Sequence, residues 1–227
     1  MTRSKLTTMA AIAAVLAGLM FMAIQPLHPE DALASVPTGT WAIIHFATMA
    51  MLVLFVVGIT GIYTAQVEKL GWLGLTGFVV LAFGLLLTAF GTAIEALVQP
   101  VIASSAPAFV QGMMDMIHGH PTEADLGAIP VLWNVASACF LAGTVLFGAA
   151  NYRANILSRW ASAMFAAGLA VSLPLATLVG LPRLAALPIG FGLAWLGYSL
   201  LTRERAPVDE SMATTSTVSL PGPSGAA

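Results

Sequence analysis

Six apolar stretches divide this chain, and each is about as long as a helix needs to be to cross roughly 30 Å of hydrocarbon at 1.5 Å per residue. They run from Leu6 to Ile24, Trp41 to Ala65, Gly71 to Val98, Ala128 to Ala150, Trp160 to Gly180 and Leu184 to Thr202. Composition closes the soluble alternative. Of 227 residues, 59% are hydrophobic and 8% charged, against about 25% charged in soluble domains. The chain cannot cover a globule with polar surface, so lipid is its solvent. The reading is an all-α polytopic membrane helix bundle of about six transmembrane helices over residues 1–203.

Orientation follows from the basic residues. With the N-terminus inside, Arg3, Lys5, Lys69, Arg153, Arg159, Arg203 and Arg205 all fall on the cytoplasmic face, and Arg183 alone falls outside. This asymmetry predicts a multi-pass protein of the cell membrane with both termini in the cytoplasm. The first stretch also admits a second reading. Arg3 and Lys5 precede an apolar run, and Ala32-Leu33-Ala34 resembles a signal-peptidase site. A run this long, followed by Pro26, Pro29, Glu30 and Asp31, favours a retained helix over a cleaved signal. Trp41, Trp72, Trp133 and Trp160 stand near predicted helix ends, as interfacial anchors do.

Two connections are long, and both are predicted outside. The second, from Gln99 to Gly127, contains Phe109 to Ile117, an apolar segment suited to a short helix on the outer membrane surface. Residues 204–227, rich in Ser, Thr, Pro and Gly, are expected to form a disordered cytoplasmic tail. A faint internal repeat sets His45 to Tyr63 and Trp72 against Asn134 to Tyr152 and Trp160.

Small residues recur at packing spacing. The first helix has Ala10, Ala14 and Gly18; the third has Gly77, Gly84 and Gly91, with Thr88 between the last two. In lipid such stripes let backbones approach closely. Pro174 and Pro188 are candidate kinks. Cys139 is the single cysteine, which excludes an intrachain disulfide, and in its apolar run it reads as a small hydrophobe.

Glu95 continues the stripe of Gly84, Thr88 and Gly91, so it faces other helices. A carboxylate in a membrane helix is costly and a functional candidate by default. His45 lies about one turn inside the second helix. Asn134 holds the matching place in the fourth, with Ser137 following. His45, Glu95 and Asn134 are therefore expected to share one depth and to form a polar cluster open to the outside. The remaining histidines fall at the same face. His28, Asp115, His118 and His120, with the methionines of Met113-Met114-Asp115-Met116, make a speculative metal-ligand set, soft enough for copper or, with the carboxylate, suited to zinc.

Absent motifs narrow the function. There is no GxxxxGK[ST], HExxH, GxSxG or CxxCH, no lysine within a span, and no basic patch for nucleic acid. No cofactor is strongly implied. A b-type haem between helices usually needs two axial ligands, and only His45 is well placed. The expected function is that of a non-enzymatic membrane subunit or accessory protein. Its partners would be the lipid bilayer and another membrane protein or a second copy of the chain. The alternatives are a small carrier or channel using the outer polar cluster, and an extracytoplasmic metal- or haem-binding protein.

Overall fold

The computed structural model describes residues 3–178 and 182–205, which are all-helical, with no strand among the described residues. Helix α1 spans Arg3–Leu27, α2 Gly39–Thr64 and α3 Val67–Ala93, and α3 continues through a π turn, Ile94–Val98, into α4, Gln99–Ile102. Helix α5 covers Pro107–Ile117, α6 Ile129–Ala154 and α7 Arg159–Leu178; a 3-10 turn, Pro182–Ala186, leads into α8, Leu187–Arg205. Among the described residues, five helical spans are long and apolar enough to cross a membrane: Ser4–Leu27, Gly39–Thr64, Val67–Ile102, Ile129–Ala154 and Arg183–Arg203. The chain is a membrane protein. The sixth expected span falls on α7, which ends where the described residues pause.

The six long helices form a closed ring in the order α1, α2, α3, α6, α7, α8, each packed on its two neighbours. Without a hydrophobic drive between helices in lipid, such packing relies on small residues. Ala10 sits against Gly61 and Ala14 against Gly58 at the α1–α2 seam, while Gly18 meets Gly190 and Ala194 of α8. Between α3 and α6, Gly77 meets the backbone of Phe147, Gly84 that of Phe140, and Gly143 that of Leu81. Gly91 departs from the expected stripe. A methyl there would meet only the ring of Trp133, at 3.6 Å, because that indole stands between the two helices.

Aromatic rings fill the middle of the bundle. Phe55 lies within 6.3 Å of Phe21, Phe140 and Phe165, and Phe165 packs in turn on Phe147. Lys69, Arg153 and Arg203 mark one end of the ring, called here the basic end. His28, His45 and His118 mark the other, the histidine end.

Several local features differ from the sequence reading. Gly71, at φ +57, breaks the first turn of α3, a conformation that favours glycine. Pro188 lies in the first turn of α8, where its missing N–H costs nothing, so it starts a helix instead of kinking one. Trp72 and Trp160 are 83% and 77% exposed, as anchors are, but Trp41 is only 2% exposed and Trp133 turns inward. Helix α5 buries Val110, Met113 and Met114 beneath the histidine end, with Val110 and Met114 packed on Val36 and Trp41. Of the expected tail, Glu204 and Arg205 still belong to α8; residues 206–227 lie outside the described residues.

Candidate functional site

The site begins with how α2 starts. Thr38 caps the helix, its hydroxyl accepting the N–H of Trp41. This fixes Trp41 in the first turn and His45 one turn later on the same face, where their rings pack 4.2 Å apart between centroids. His45 Nδ1 lies 2.8 Å from the Trp41 carbonyl oxygen. A carbonyl can only accept, so Nδ1 carries the hydrogen, and in the neutral ring Nε2 presents a lone pair.

The facing wall is made by the π turn of α3. There the N–H of Gln99 bonds to Ile94 O, five residues back, instead of Glu95 O. The freed Glu95 carbonyl accepts the indole N–H of Trp41 at 2.9 Å. The Glu95 side chain turns inward, with the residue 9% exposed. Its Oε2 lies 3.6 Å from His45 Nε2, slightly longer than a hydrogen bond. Trp41 therefore ties the backbone of Glu95 to the ring that faces its side chain.

The structure thus brings His45 and Glu95 together, but not Asn134. The face of α6 turned inward carries Trp133, Ala136, Ser137, Phe140 and Leu141. Asn134, one residue and about 100° from Trp133, is exposed.

Below the His45–Glu95 contact lies a cavity of about 510 Å3. Its polar end is lined by Gln25, His28, His45 and Glu95; its deep end by Met51, Leu52, Leu85 and Phe140, near the midpoints of their helices. The walls come from α1, α2, α3 and α6. Ser137 and Leu141 are exposed, so the cavity opens on the α6 side.

A second cluster, on Asp31, crowns this end. Its carboxylate pairs with Arg183, lies 3.1 Å from His118 Nε2 and 3.6 Å from His28 Nδ1. Arg183 also donates to the carbonyls of His28 and Pro29. Three connections are tied together by one carboxylate. The His28 ring stands edge-on to His45, 5.1 Å away, and links this cluster to the cavity. Burial holds the His28 imidazole below its ordinary value of 6.5, against the opposing pull of its bond to Pro29 O.

The speculative metal set does not converge. His28 and His118 share Asp31 instead; Asp115 accepts from Gln111 on its own helix; His120 is exposed and stacks on His118. Among the described residues no group of three His, Cys, Asp or Glu side chains is placed to hold a metal ion. Sequence reasoning overlooked Asp31 and Arg183, whose signal was a lone basic residue and a nearby acid on the same face. It also overlooked Trp41, whose signal was its spacing of four from His45.

Comparison with protein-family models, with curated proteins and with solved structures finds no match to this chain.

Proposed function

We propose that this chain is a non-enzymatic binding protein of the cell membrane that takes up an amphipathic small molecule from the outer leaflet. The observation that carries the proposal is the cavity. It holds an acid and two imidazoles at one end and is apolar down to the middle of the bundle, as a molecule with a polar head and an apolar body requires. Its volume suits a drug-sized ligand. Its side opening gives a lipid-dissolved molecule a route that does not cross water. The non-enzymatic reading draws on the threonine hydroxyls: Thr48 and Thr88 donate to the carbonyls of Ile44 and Gly84, so their hydrogens go to the backbone and not to a base.

Orientation rests on charge. Lys5, Lys69, Arg153, Arg159 and Arg203 belong to the basic end and Arg183 to the histidine end, which supports a cytoplasmic basic end with both termini inside. The retained-helix reading of α1 draws on its place in the ring, where it supplies Phe21, Ile24, Gln25 and His28 to the cavity.

A carrier is the second reading. It is favoured by one-sided access: the cavity stops at mid-bundle, and Phe55, Phe147, Phe165, Ile59 and Ile62 fill the space toward the basic end. A carrier open toward the outer leaflet has this form.

The test uses the full chain in phosphatidylcholine nanodiscs titrated with Nile red, a neutral amphipathic fluorophore. A saturable component, absent from empty discs and removed by Ser137→Trp at the cavity opening, is the expected result. Only linear partitioning, equal with and without protein, overturns the binding reading. Compartment-specific reporters placed after Lys69 and after Arg153 are expected to read cytoplasmic, and one at Glu123 outside; a cytoplasmic signal at Glu123 overturns the orientation.

A further inference from the structure

We infer that the ligand of this cavity is a protonated amine carried on an apolar body, a conclusion that rests on the binding function proposed above. The argument is a census of hydrogen-bond donors. Gln25 donates through Nε2 to Phe21 O at 3.1 Å, and His45 through Nδ1 to Trp41 O at 2.8 Å. Thr48 donates to Ile44 O and Thr88 to Gly84 O, both at 2.9 Å. Each of these bonds returns to the carbonyl four residues earlier on the same helix. His28 commits its Nδ1 hydrogen to the neighbouring carbonyl of Pro29 at 2.8 Å. These five side chains retain an amide oxygen, two imidazole lone pairs and two hydroxyl oxygens as acceptors, against one donor, the second Nε2 hydrogen of Gln25; the other neutral donors of the lining are the Ser137 hydroxyl and the Trp133 indole N–H, both on α6.

Charge points the same way. Glu95 is the single acidic residue among the lining residues, which include no lysine or arginine. The nearest guanidinium, Arg183, is paired with Asp31 and lies outside the lining. The Glu95 carboxylate receives no hydrogen bond from any described side chain, and its neighbour Nε2 of His45 is itself an acceptor when neutral.

A buried acid among acceptors calls for a ligand that supplies hydrogens and positive charge together. An alkylammonium head has three N–H donors and no acceptor. Set between Glu95 Oε2 and His45 Nε2 it bonds both, and a third hydrogen can reach the amide oxygen of Gln25 or the Nε2 of His28. A carboxylate or phosphate head meets the opposite: repulsion from Glu95 and a ring of lone pairs. An alcohol offers one donor and leaves the acid unneutralised.

The experiment displaces Nile red from the full chain in phosphatidylcholine nanodiscs with three probes sharing one tail: dodecylamine, dodecanol and dodecanoate. Dodecylamine is expected to displace at a concentration about tenfold below dodecanol, because a charge-assisted bond exceeds a neutral one by about that factor. Dodecanoate is expected to be weakest. In Glu95→Gln the ratio of amine to alcohol displacement should fall to within about twofold. The wild-type order needs no variant, so it tests the inference even if Glu95→Gln does not fold. Saturable Nile red binding with equal displacement by the three probes overturns the amine inference and leaves the binding function standing. No saturable Nile red component overturns both. With dodecylamine active, displacement by added phosphatidylethanolamine assigns the amine to a lipid headgroup. A lack of such displacement assigns it to a free amine.

Discussion

Replacing Trp41 by phenylalanine isolates the bond on which the site geometry depends. The indole N–H is the partner of the Glu95 carbonyl, at 2.9 Å, and that carbonyl lacks its α-helical partner because the π turn sends the Gln99 N–H to Ile94. Side-chain hydrogen bonds between membrane helices are worth about 0.6 kcal/mol on average and up to about 1.7. The smaller ring also leaves a void of roughly 40 Å3, which at about 24 cal/mol per Å3 adds about 1 kcal/mol. Trp41 is 2% exposed and packed on His45, Val36 and α5, so the void cannot fill from lipid. The expected loss is about 2 to 3 kcal/mol, read from reversible unfolding in mixed micelles by circular dichroism. Trp160→Phe is the matched control. The same atoms leave a ring that is 77% exposed, and a surface change of this kind stays within about 0.5 kcal/mol. Equal effects at the two tryptophans would refute the reasoning, since they would show that the Glu95 carbonyl has another partner and that the π turn does not depend on Trp41.

Two further outcomes follow from packing and charge. A methyl at Gly84 would lie 2.6 Å from Phe140 N, so Gly84→Ala should push α3 and α6 apart and cost about 1–3 kcal/mol in the same unfolding measurement. Gly91→Ala meets only the Trp133 ring at 3.6 Å and should be neutral or stabilising by up to about 1 kcal/mol from helix propensity. His28 is held below 6.5 by burial, so the unfolded chain takes up its proton first as the pH falls. Its contribution is therefore intact above pH 6.5 and is lost progressively below it; His28→Asn should make stability less steep in pH between 6.5 and 5, and an unchanged slope would remove His28 from the account.

What could be read in the sequence divides along a physical line. Periodicity along one helix was legible. Glu95 follows Gly84, Thr88 and Gly91 at intervals of three and four, and in the structure it faces His45 across the ring. Depth in the bilayer was legible too, since hydropathy sets where each helix begins. Direction around the helix axis was not, wherever no stripe defined it. Asn134 was assigned by depth alone, and it points about 100° away from the face that lines the cavity. Trp41 and Trp72 look alike as aromatic residues at helix ends. One is buried and the other exposed, because the difference lies in a partner 54 residues away, the Glu95 carbonyl. That carbonyl is free only because of the π turn, and nothing in Ile94-Glu95-Ala96-Leu97-Val98 marks such a turn in advance.

The acceptor character of the cavity falls between these cases. In a helix surrounded by hydrocarbon, the nearest acceptor for a threonine hydroxyl, a glutamine amide or a histidine Nδ1–H is the carbonyl one turn back. Thr48, Thr88, Gln25 and His45 all take it, and none needs another helix to do so. Each of these four residues thus enters the bundle with one hydrogen already committed and its lone pairs outward. Tertiary packing then determines only where those lone pairs gather, and they gather on one cavity that Glu95 also lines. An acceptor-rich pocket holding one acid is therefore built from a local rule applied four times and one wide turn. Its preference for a positively charged donor follows from that arithmetic of hydrogens, before any ligand is considered.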